Sequence, residues 1–303
     1  MQFLLELKTT SEDCSPGSMY WKKLTLDNQV SMYLAAAREM GFDVMGVVYD
    51  VIRKTALRPT SKGTETPASY ESRIIGQMIE APDRYFTRGV IVRTEADLEA
   101  HADDVWQIAE LIRHARNKDR WPRYIGACVS YGSTCDYWPV CAEGAEIEGA
   151  HYETRPPMEA APGTPEGRKH LPVLSASALS TWRQCPRKFY YAYELRRRKV
   201  GETSKPLWFG KLIHAAIETY HLEGIDAALE RASDSERTPN EHDRAHARAL
   251  VRGYDARWGS EPLRIIATEK PFTRALTNPE TGAASRTFQL GGVVDAVVEE
   301  MGK

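Results

Sequence analysis

Three charged residues, close to the two ends of the sequence, have the types and spacing that metal-dependent hydrolysis needs. Glu6 and Lys8 follow a short apolar segment near the start, and Asp295 follows the apolar segment Gly291–Val294. Two carboxylates and one ammonium group on adjacent strands suit a divalent metal that activates water. Joined through a turn at Met301–Lys303, the two segments would form one hairpin. The pattern therefore predicts that Asp295, Glu6 and Lys8 meet at one sheet edge.

Two helical segments carry side chains that can join such a site. Gln29 and Tyr33 lie one turn apart on one face of a helix predicted from about Asp27 to Met40. Beside a metal, they can bond a phosphate or hold the lysine in place. His214 can complete a manganese or magnesium site that two carboxylates begin. The ordinary alternatives are a Tyr33 packed beneath the sheet, a Gln29 on the surface, and a histidine without a ligand.

The cysteines form a second chemical group. Cys128, Cys135 and Cys141 cluster within one stretch, Cys185 lies in the segment RQCPRKF, and Cys14 stands apart. In a reduced cytoplasm, three grouped thiolates and one distant thiolate indicate metal binding rather than disulfides. Four thiolates fit a [4Fe-4S] cluster or a structural Zn²⁺ ion. Buried free cysteines are the alternative.

The composition limits the class of protein. The chain has 303 residues, of which 42% are hydrophobic and 27% charged, so it can bury a full core. The sequence contains no apolar run of the roughly 20 residues that span a bilayer, so we expect a cytoplasmic protein with no membrane partner. Basic residues are concentrated from Arg183 to Lys211 and include the run Arg196–Lys199. That run can hold phosphates, or it is the solvated end of a helix.

The chain divides at a segment rich in Pro and Gly, residues 156–170, which we expect to be a flexible connector. The elements expected before and after it mix strands and helices, which predicts an α/β fold with a central mixed sheet flanked by helices. Strands are expected at 2–8, 44–52 and near 265 and 288, helices at 27–40, 95–117, 177–195, 207–222 and 240–257, and a long loop at 55–72.

Five segments together resemble a known family. In the family's order they are SASALSTWRQCPRKFYYAY, FGKLIHAAIE, LGGVVDAVVE, FLLELKTTS and NQVSMYLAAA. They are similar to the successive motifs of RecB-type PD-(D/E)XK nucleases that carry an iron-sulfur cluster, such as the nuclease domain of AddB, the CRISPR-adaptation nucleases and many phage exonucleases. The resemblance implies a restriction-endonuclease-like fold. It also implies that residues 1–155 and 171–303 are two halves of one nuclease domain.

The resemblance assigns roles to the residues named above. It implies that His214, Asp295, Glu6 and the Leu7 carbonyl bind Mg²⁺ or Mn²⁺, and that Lys8 is the catalytic lysine. Gln29 and Tyr33 match the Gln-x-x-x-Tyr motif of the family. The cluster ligands would be Cys128, Cys135, Cys141 and Cys185.

The implied substrate is DNA, single-stranded or with free ends, cut by an exonuclease that acts in recombination, repair or phage DNA processing, with a possible helicase or recombination partner. Arg183, Arg187 and Lys188 would guide the strand, and Trp182 and Tyr190 either stack on bases or belong to the core. The alternatives are a catalytically inactive DNA-binding or scaffold protein and a zinc-stabilised interaction module.

Two features depart from the family pattern. Six residues separate Cys128 from Cys135, where many relatives have two. The order of the motifs is also rotated, because the family runs from the cysteine helix through His and Asp to Glu-x-Lys and then the grouped cysteines. Circular permutation, exchange of halves between two chains and a misdelimited reading frame each explain this order. We expect permutation, because residues 295–303 followed by residues 2–5 would give a hairpin of the length usual in the family. Closing a longer loop costs only about 1–2 kcal/mol more.

Overall fold

The computed structural model describes residues 1–60, 64–130, 132–201, 205–234, 240–261 and 263–300. The turn expected at Met301–Lys303 lies outside these ranges. The longer strands are β1 (Gln2–Thr10), β2 (Val44–Arg53), β3 (Phe86–Ile91), β9 (Leu263–Thr277) and β10 (Ala284–Glu300). The short strands are β4 (Val129–Ser130), β5 (Ser133–Thr134), β6 (Tyr152–Thr154), β7 (Val173–Leu174) and β8 (Arg197–Lys199).

The helices lie mostly between these strands. The longer ones are α2 (Asn28–Glu39), α3 (Pro67–Glu80), α5 (Glu95–Lys118), α7 (Ala176–Gln184), α9 (Lys205–Glu223), α10 (Ile225–Ala232) and α11 (Glu241–Trp258). The short ones are α1 (Met19–Leu24), α4 (Pro82–Tyr85), α6 (Trp138–Ala142) and α8 (Pro186–Phe189), which is followed by a π-helical turn at Tyr190–Glu194. No helix in the described ranges is both long enough and apolar enough to cross a bilayer.

A mixed sheet is the centre of the fold. Within the described residues it has six strands, in the order β3–β2–β1–β10–β7, with β9 also paired to β10. Strand β1 runs parallel to β2 and antiparallel to β10, so the first and last described strands are neighbours within one chain. The predicted class, an α/β fold with a central mixed sheet flanked by helices, is confirmed.

The long strand β10 has three partners, and their positions leave a gap. Strand β9 follows one edge of β10, while the other edge pairs with β7 at Gln289–Leu290 and with β1 at Ala296–Glu299. Between these two pairings, residues 291–294 pair only with β9 in the described sheet. Ligand sites in α/β sheets commonly form where neighbouring strands diverge in this way. Asp295 lies at the border of the gap.

Helices cover both faces of the sheet because the strand residues are apolar on both sides. On one face, α2, α5 and α7 bury Leu34, Ile112 and Leu179 against Leu4 of β1. On the other face, α3, α9 and α11 pack around Leu7. Leu7 follows Leu4 by three residues, so its side chain points to the opposite face of the sheet. The strand that carries Glu6 and Lys8 is thereby held between two helical layers.

A buried polar network ties the second helical layer to the sheet. Asp50 of β2 is fully buried, and its carboxylate accepts hydrogen bonds from Arg88 of β3 and from the hydroxyl of Tyr254 on α11. The Arg88 guanidinium also lies 4.2 Å from the ring centroid of Trp258. A buried carboxylate is tolerated only with such partners.

Three expected elements are wrong in detail. The helix expected at 177–195 is capped by Ser175, whose Oγ accepts a bond from the Ala178 amide at 3.2 Å. It ends at Cys185, which has a φ of −165°. Pro186 explains this break, since the residue before a proline is driven out of the helical region.

The long loop expected at 55–72 is shorter than predicted, because α3 begins at Pro67 after an N-cap at Thr66. The basic run Arg196–Lys199 is not a helix end. Residues 197–199 form β8, which pairs with β6. Helix α10 was also not predicted from the sequence.

Candidate active site

Glu6, Lys8 and Gln29 form a closed set of hydrogen bonds. Glu6 and Lys8 alternate with Leu7 along β1, so both project toward the face that α2 covers. The Lys8 ammonium forms an ion pair with Glu6 Oε1. Gln29 Nε2 donates to the same oxygen at 2.8 Å, and its Oε1 accepts a bond from Lys8 Nζ at 3.3 Å. The amide of Gln29 therefore fixes the Glu6 carboxyl group and the Lys8 ammonium group relative to each other.

The surroundings shift the pKa of both charged groups. Burial raises the pKa of Glu6 to about 7; the neighbouring Lys8 opposes this shift and Asp295 adds to it. For Lys8, burial would lower the pKa, but the charge and hydrogen bond of Glu6 outweigh burial and raise it. Lys8 therefore remains a cation, while Glu6 gains and loses its proton near neutral pH.

Asp295 and His214 approach Glu6 from two other elements. The last registered pair of β1 and β10 is Leu5 with Ala296, and Glu6 and Asp295 are the next residues on each strand. His214 of α9 places its Nε2 3.0 Å from Asp295 Oδ2, and the Leu7 amide donates to the same oxygen at 3.4 Å. The hydrogen bond with Asp295 raises the pKa of His214, although burial opposes this.

Tyr33 lies beside this group because of a close approach to β10. Asp27 caps α2 by accepting bonds from the amides of Gln29 and Val30, which orients the helix over the sheet. The Tyr33 ring meets Phe272 edge-on, with ring centroids 5.6 Å apart. A Cβ atom at Gly292 would lie 3.0 Å from Tyr33 Cε1 and 3.1 Å from Phe272 Cε1. Only glycine fits at this position without displacing the two rings.

The chemical types of the side chains at this site suit a hard divalent cation. Two carboxylates and an imidazole are ligands that Mg²⁺ and especially Mn²⁺ accept. In the present arrangement Glu6 Oε1 is bonded to Lys8 and Gln29, and Asp295 Oδ2 is bonded to His214. Accordingly, among the described residues, no group of three or more His, Cys, Asp or Glu side chains has the geometry of a metal site. An ion would have to replace the contact between His214 and Asp295.

The sequence of residues 173–303 matches the family model of the PD-(D/E)XK nuclease superfamily. Over these residues the chain is similar to a superfamily of nucleases. The curated proteins and the solved structures gave no match. The matched segment contains His214 and Asp295, whereas Glu6, Lys8 and Gln29 lie outside it, and the pairing of β1 with β10 brings Glu6 next to Asp295.

The structure also brings the three grouped cysteines together with Cys185. Cys128, Cys135, Cys141 and Cys185 line one small cavity together with Lys188, and all four are unpaired thiols. Burial raises the pKa of Cys135. Cys14 lies elsewhere in the core, with its sulfur 3.5 Å from the hydroxyl of Thr87. The spacing of six residues between Cys128 and Cys135 does not keep them apart, because the Cys135 amide donates to the Cys128 carbonyl at 2.8 Å.

The basic residues expected to guide a strand have other partners. Arg183 forms an ion pair with Asp104 at 3.3 Å, Arg187 Nε donates to the Trp121 carbonyl at 2.9 Å, and Lys188 donates to Gln184 at 3.3 Å. The structure therefore does not bring these three cations to the carboxylates.

The two aromatic residues of the same segment belong to the core. Trp182 is 7% exposed, and Tyr190 stacks on Trp121 with ring centroids 4.9 Å apart. Trp182 thus packs within the core, and Tyr190 is half-buried against it.

Two carboxylates near the site were absent from the sequence prediction. Glu218 and Glu269 line a cavity with His214 and Asp295. Glu218 was accessible to prediction, because it follows His214 by four residues on α9 and so lies on the same face. Glu269 could not be predicted in this way. It lies at an irregular position of β9 with a φ of 43°, a conformation that its sequence does not predict.

Proposed function

We propose that the chain is a metal-dependent DNA nuclease of the RecB type, an exonuclease acting on single strands or free ends. The observation that carries the proposal is the pairing of β1 with β10, which places Glu6 and Lys8 beside Asp295 and His214 within one chain. The match of residues 173–303 to the nuclease superfamily supports it. A cytoplasmic location and a helicase or recombination partner belong to the same proposal.

The proposed roles follow from the contacts. Glu6, Asp295, His214 and the carbonyl of Leu7 would hold Mg²⁺ or Mn²⁺, which when bound supplies an activated water and polarises the phosphate. The Lys8 ammonium would orient the attacking water and stabilise the negative charge that develops on the phosphorus oxygens. Gln29 would keep Lys8 and Glu6 in register, since its amide bonds to both. Tyr33 would limit the site on the side of β10.

We also propose that the four clustered cysteines bind a [4Fe-4S] cluster, or alternatively a structural Zn²⁺ ion. Support comes from the shared cavity, which joins the segment 128–141 to Cys185 at the break between α7 and α8. Bonds to one metal centre would fasten these two parts of the chain to each other. The contribution would be to stability rather than to hydrolysis.

The rotated motif order is consistent with a circularly permuted nuclease domain in which residues 156–170 connect the two halves. Because β1 and β10 pair in a single chain, exchange of halves between two chains is not required to assemble Glu6 with Asp295.

The test is a nuclease assay with labelled single-stranded and duplex DNA in Mn²⁺, comparing the wild type with Lys8→Ala and Asp295→Ala. We expect both variants to lose at least about 100-fold in rate. Lys22→Ala, at an exposed position of α1, is the matched control and should cut at the wild-type rate. Cutting by Lys8→Ala at the wild-type rate would refute the mechanism. A wild type that binds DNA without cutting it would favour the scaffold alternative.

A further inference from the structure

We propose that a cleft between the connector, residues 156–170, and the open edge of β10 binds one nucleic-acid strand through its phosphates and leads it to the carboxylates. The inference rests on the proposed nuclease function and names the part of the molecule that would hold its substrate. Its cations differ from Arg183, Arg187 and Lys188, whose side chains bond to other groups of the protein.

The cleft adjoins the candidate active site. It has a volume of about 990 Å³ and reaches Tyr33, Gly292 and Val293, two residues before Asp295. This floor is the gap in the pairing of β10, where residues 291–294 pair only with β9 in the described sheet. A ligand lying along the cleft would therefore reach the part of β10 that precedes Asp295.

The connector forms one wall of the cleft and is fastened to the sheet. Pro156–Ala160 and Lys169–His170 line the cleft, and Ala161 and Thr164 between them are buried. The Ala161 amide donates to Thr273 Oγ1 of β9 at 2.7 Å. A nucleic-acid strand in the cleft must consequently pass between the connector and α7. The volume lies at the upper end of the range for ligand pockets, roughly 300–1,000 Å³, which suits a short single strand better than a duplex with its two backbones.

Two cations in the cleft have no carboxylate partner within the described residues. Arg155 lies with its guanidinium carbon 5.4 Å from the ring centroid of Tyr193, and Arg196 is exposed. The Arg155 amide donates to the Arg196 carbonyl at 2.6 Å, so the two residues are adjacent. By contrast, Arg116 of the same cleft is neutralised by two hydrogen bonds to Glu194. Unneutralised arginines facing a cleft are the usual contacts of phosphate groups.

The start of α7 adds a third anion-binding element. Ser175, the N-cap of this nine-residue helix, and Ser177 both line the cleft. Tyr193 donates its hydroxyl hydrogen to Ser177 Oγ at 3.2 Å, which connects the helix start to the ring beneath Arg155. The free amides and the dipole of a helix N-terminus attract phosphate. Arg155, Arg196 and the start of α7 thus surround one path.

The backbone of Arg196 has a strained conformation. Its φ is 53°, in the left-handed region that bulky residues seldom adopt. A glycine would occupy this conformation without strain, and would remove only the charged side chain. This makes Arg196→Gly a cleaner test than a substitution by alanine.

The experiment measures binding apart from cutting. Fluorescence anisotropy with labelled single-stranded DNA, duplex DNA and single-stranded RNA is recorded in EDTA over a salt series, for the full chain and for Arg155→Gln/Arg196→Gly. We expect single strands to bind more tightly than duplex. We also expect the double variant to weaken single-strand binding at least about tenfold and to lower the salt slope by about 1.4, for two lost phosphate contacts. The RNA arm distinguishes which kind of strand supplies the phosphates.

The matched control is Lys22→Gln/Lys118→Gln, which removes two exposed cations outside the cleft and should bind as the wild type does. Arg196→Lys should restore most of the salt slope, which a purely structural role of Arg196 would not do. Equal binding by the cleft variant and the wild type, at equal melting temperatures, would overturn the inference, as would tighter binding of duplex. If only the cleft assignment is wrong, the wild type still cuts DNA and Lys8→Ala still loses this activity. If the proposed function is wrong, the nuclease assay shows no difference between the wild type and Lys8→Ala.

Discussion

The Nε2 atom of His214 lies 3.0 Å from Oδ2 of Asp295, so two groups that would share a cation share a hydrogen bond instead. The same carboxylate oxygen also accepts a bond from the Leu7 amide at 3.4 Å. His214 and Asp295 are thus already in contact, and a cation bound between them would displace the proton of this hydrogen bond.

Metal affinity should depend on pH. The hydrogen bond with Asp295 raises the pKa of His214, and burial raises that of Glu6 to about 7. Both groups hold protons that an ion must displace, so the Kd for Mn²⁺ should fall as pH rises from about 6 to 8. Calorimetric titration in buffers of different ionisation enthalpy measures both the Kd and the protons released. Glu6→Gln should release fewer protons, and a Kd that does not change with pH would contradict the assignment.

Gln29 should act by positioning. Because its amide bonds to Glu6 and to Lys8, Gln29→Ala should reduce kcat about 10–100-fold, the range for residues that orient metal ligands. Gln29→Glu should be worse, since it replaces the donor to Glu6 with a second negative charge. The measurement is single-turnover cleavage together with the Mn²⁺ Kd. A wild-type rate for Gln29→Ala would show that the ion pair between Lys8 and Glu6 needs no support.

Gly292 should be essential for a steric reason. In Gly292→Ala, the new Cβ atom would meet Tyr33 and Phe272 at about 3 Å, so one ring must shift. We expect a loss of activity and of about 1–3 kcal/mol in the free energy of unfolding. The matched control is Gly76→Ala on α3, where a Cβ meets nothing within 4 Å. That variant should be stabilised by roughly 0.5–1 kcal/mol. Equal behaviour of the two variants would refute the steric argument.

The cysteine cavity makes a prediction that is independent of cutting. Anaerobically purified protein should be brown and contain iron, and Cys185→Ser should lose the iron and melt at a lower temperature. Cys14→Ser is the control, because Cys14 is buried away from the cavity and its loss should leave the iron content unchanged. A colourless wild type with one equivalent of zinc would replace the cluster by a structural Zn²⁺ ion.

Local signals were sufficient for part of the fold. Asp27 predicted the start of α2, and the apolar run into Glu6 predicted β1, because capping and strand alternation act within a few residues. Placing Asp295 next to Glu6 required the order of motifs as well, since the two residues are far apart in sequence.

The remaining features depend on contacts that a sequence does not show. Arg183 was assigned to a nucleic-acid strand from its charge, yet its carboxylate partner, Asp104, comes from a different helix. The cleft cations Arg155 and Arg196 were not predicted as a pair, because the backbone bond between them joins β6 to β8 across the fold. Glu269 depends on an irregular backbone angle in β9.

The hydrogen bond from the Leu7 amide to Asp295 spans 288 positions of the chain, and this separation has a consequence during synthesis. At roughly 5–20 residues per second, β1 leaves the ribosome about 15–60 s before the strand that completes its site. During this interval Glu6 and Lys8 are present without Asp295. A nascent chain should therefore lack the proposed nuclease activity, and gain it only once β10 has paired with β1.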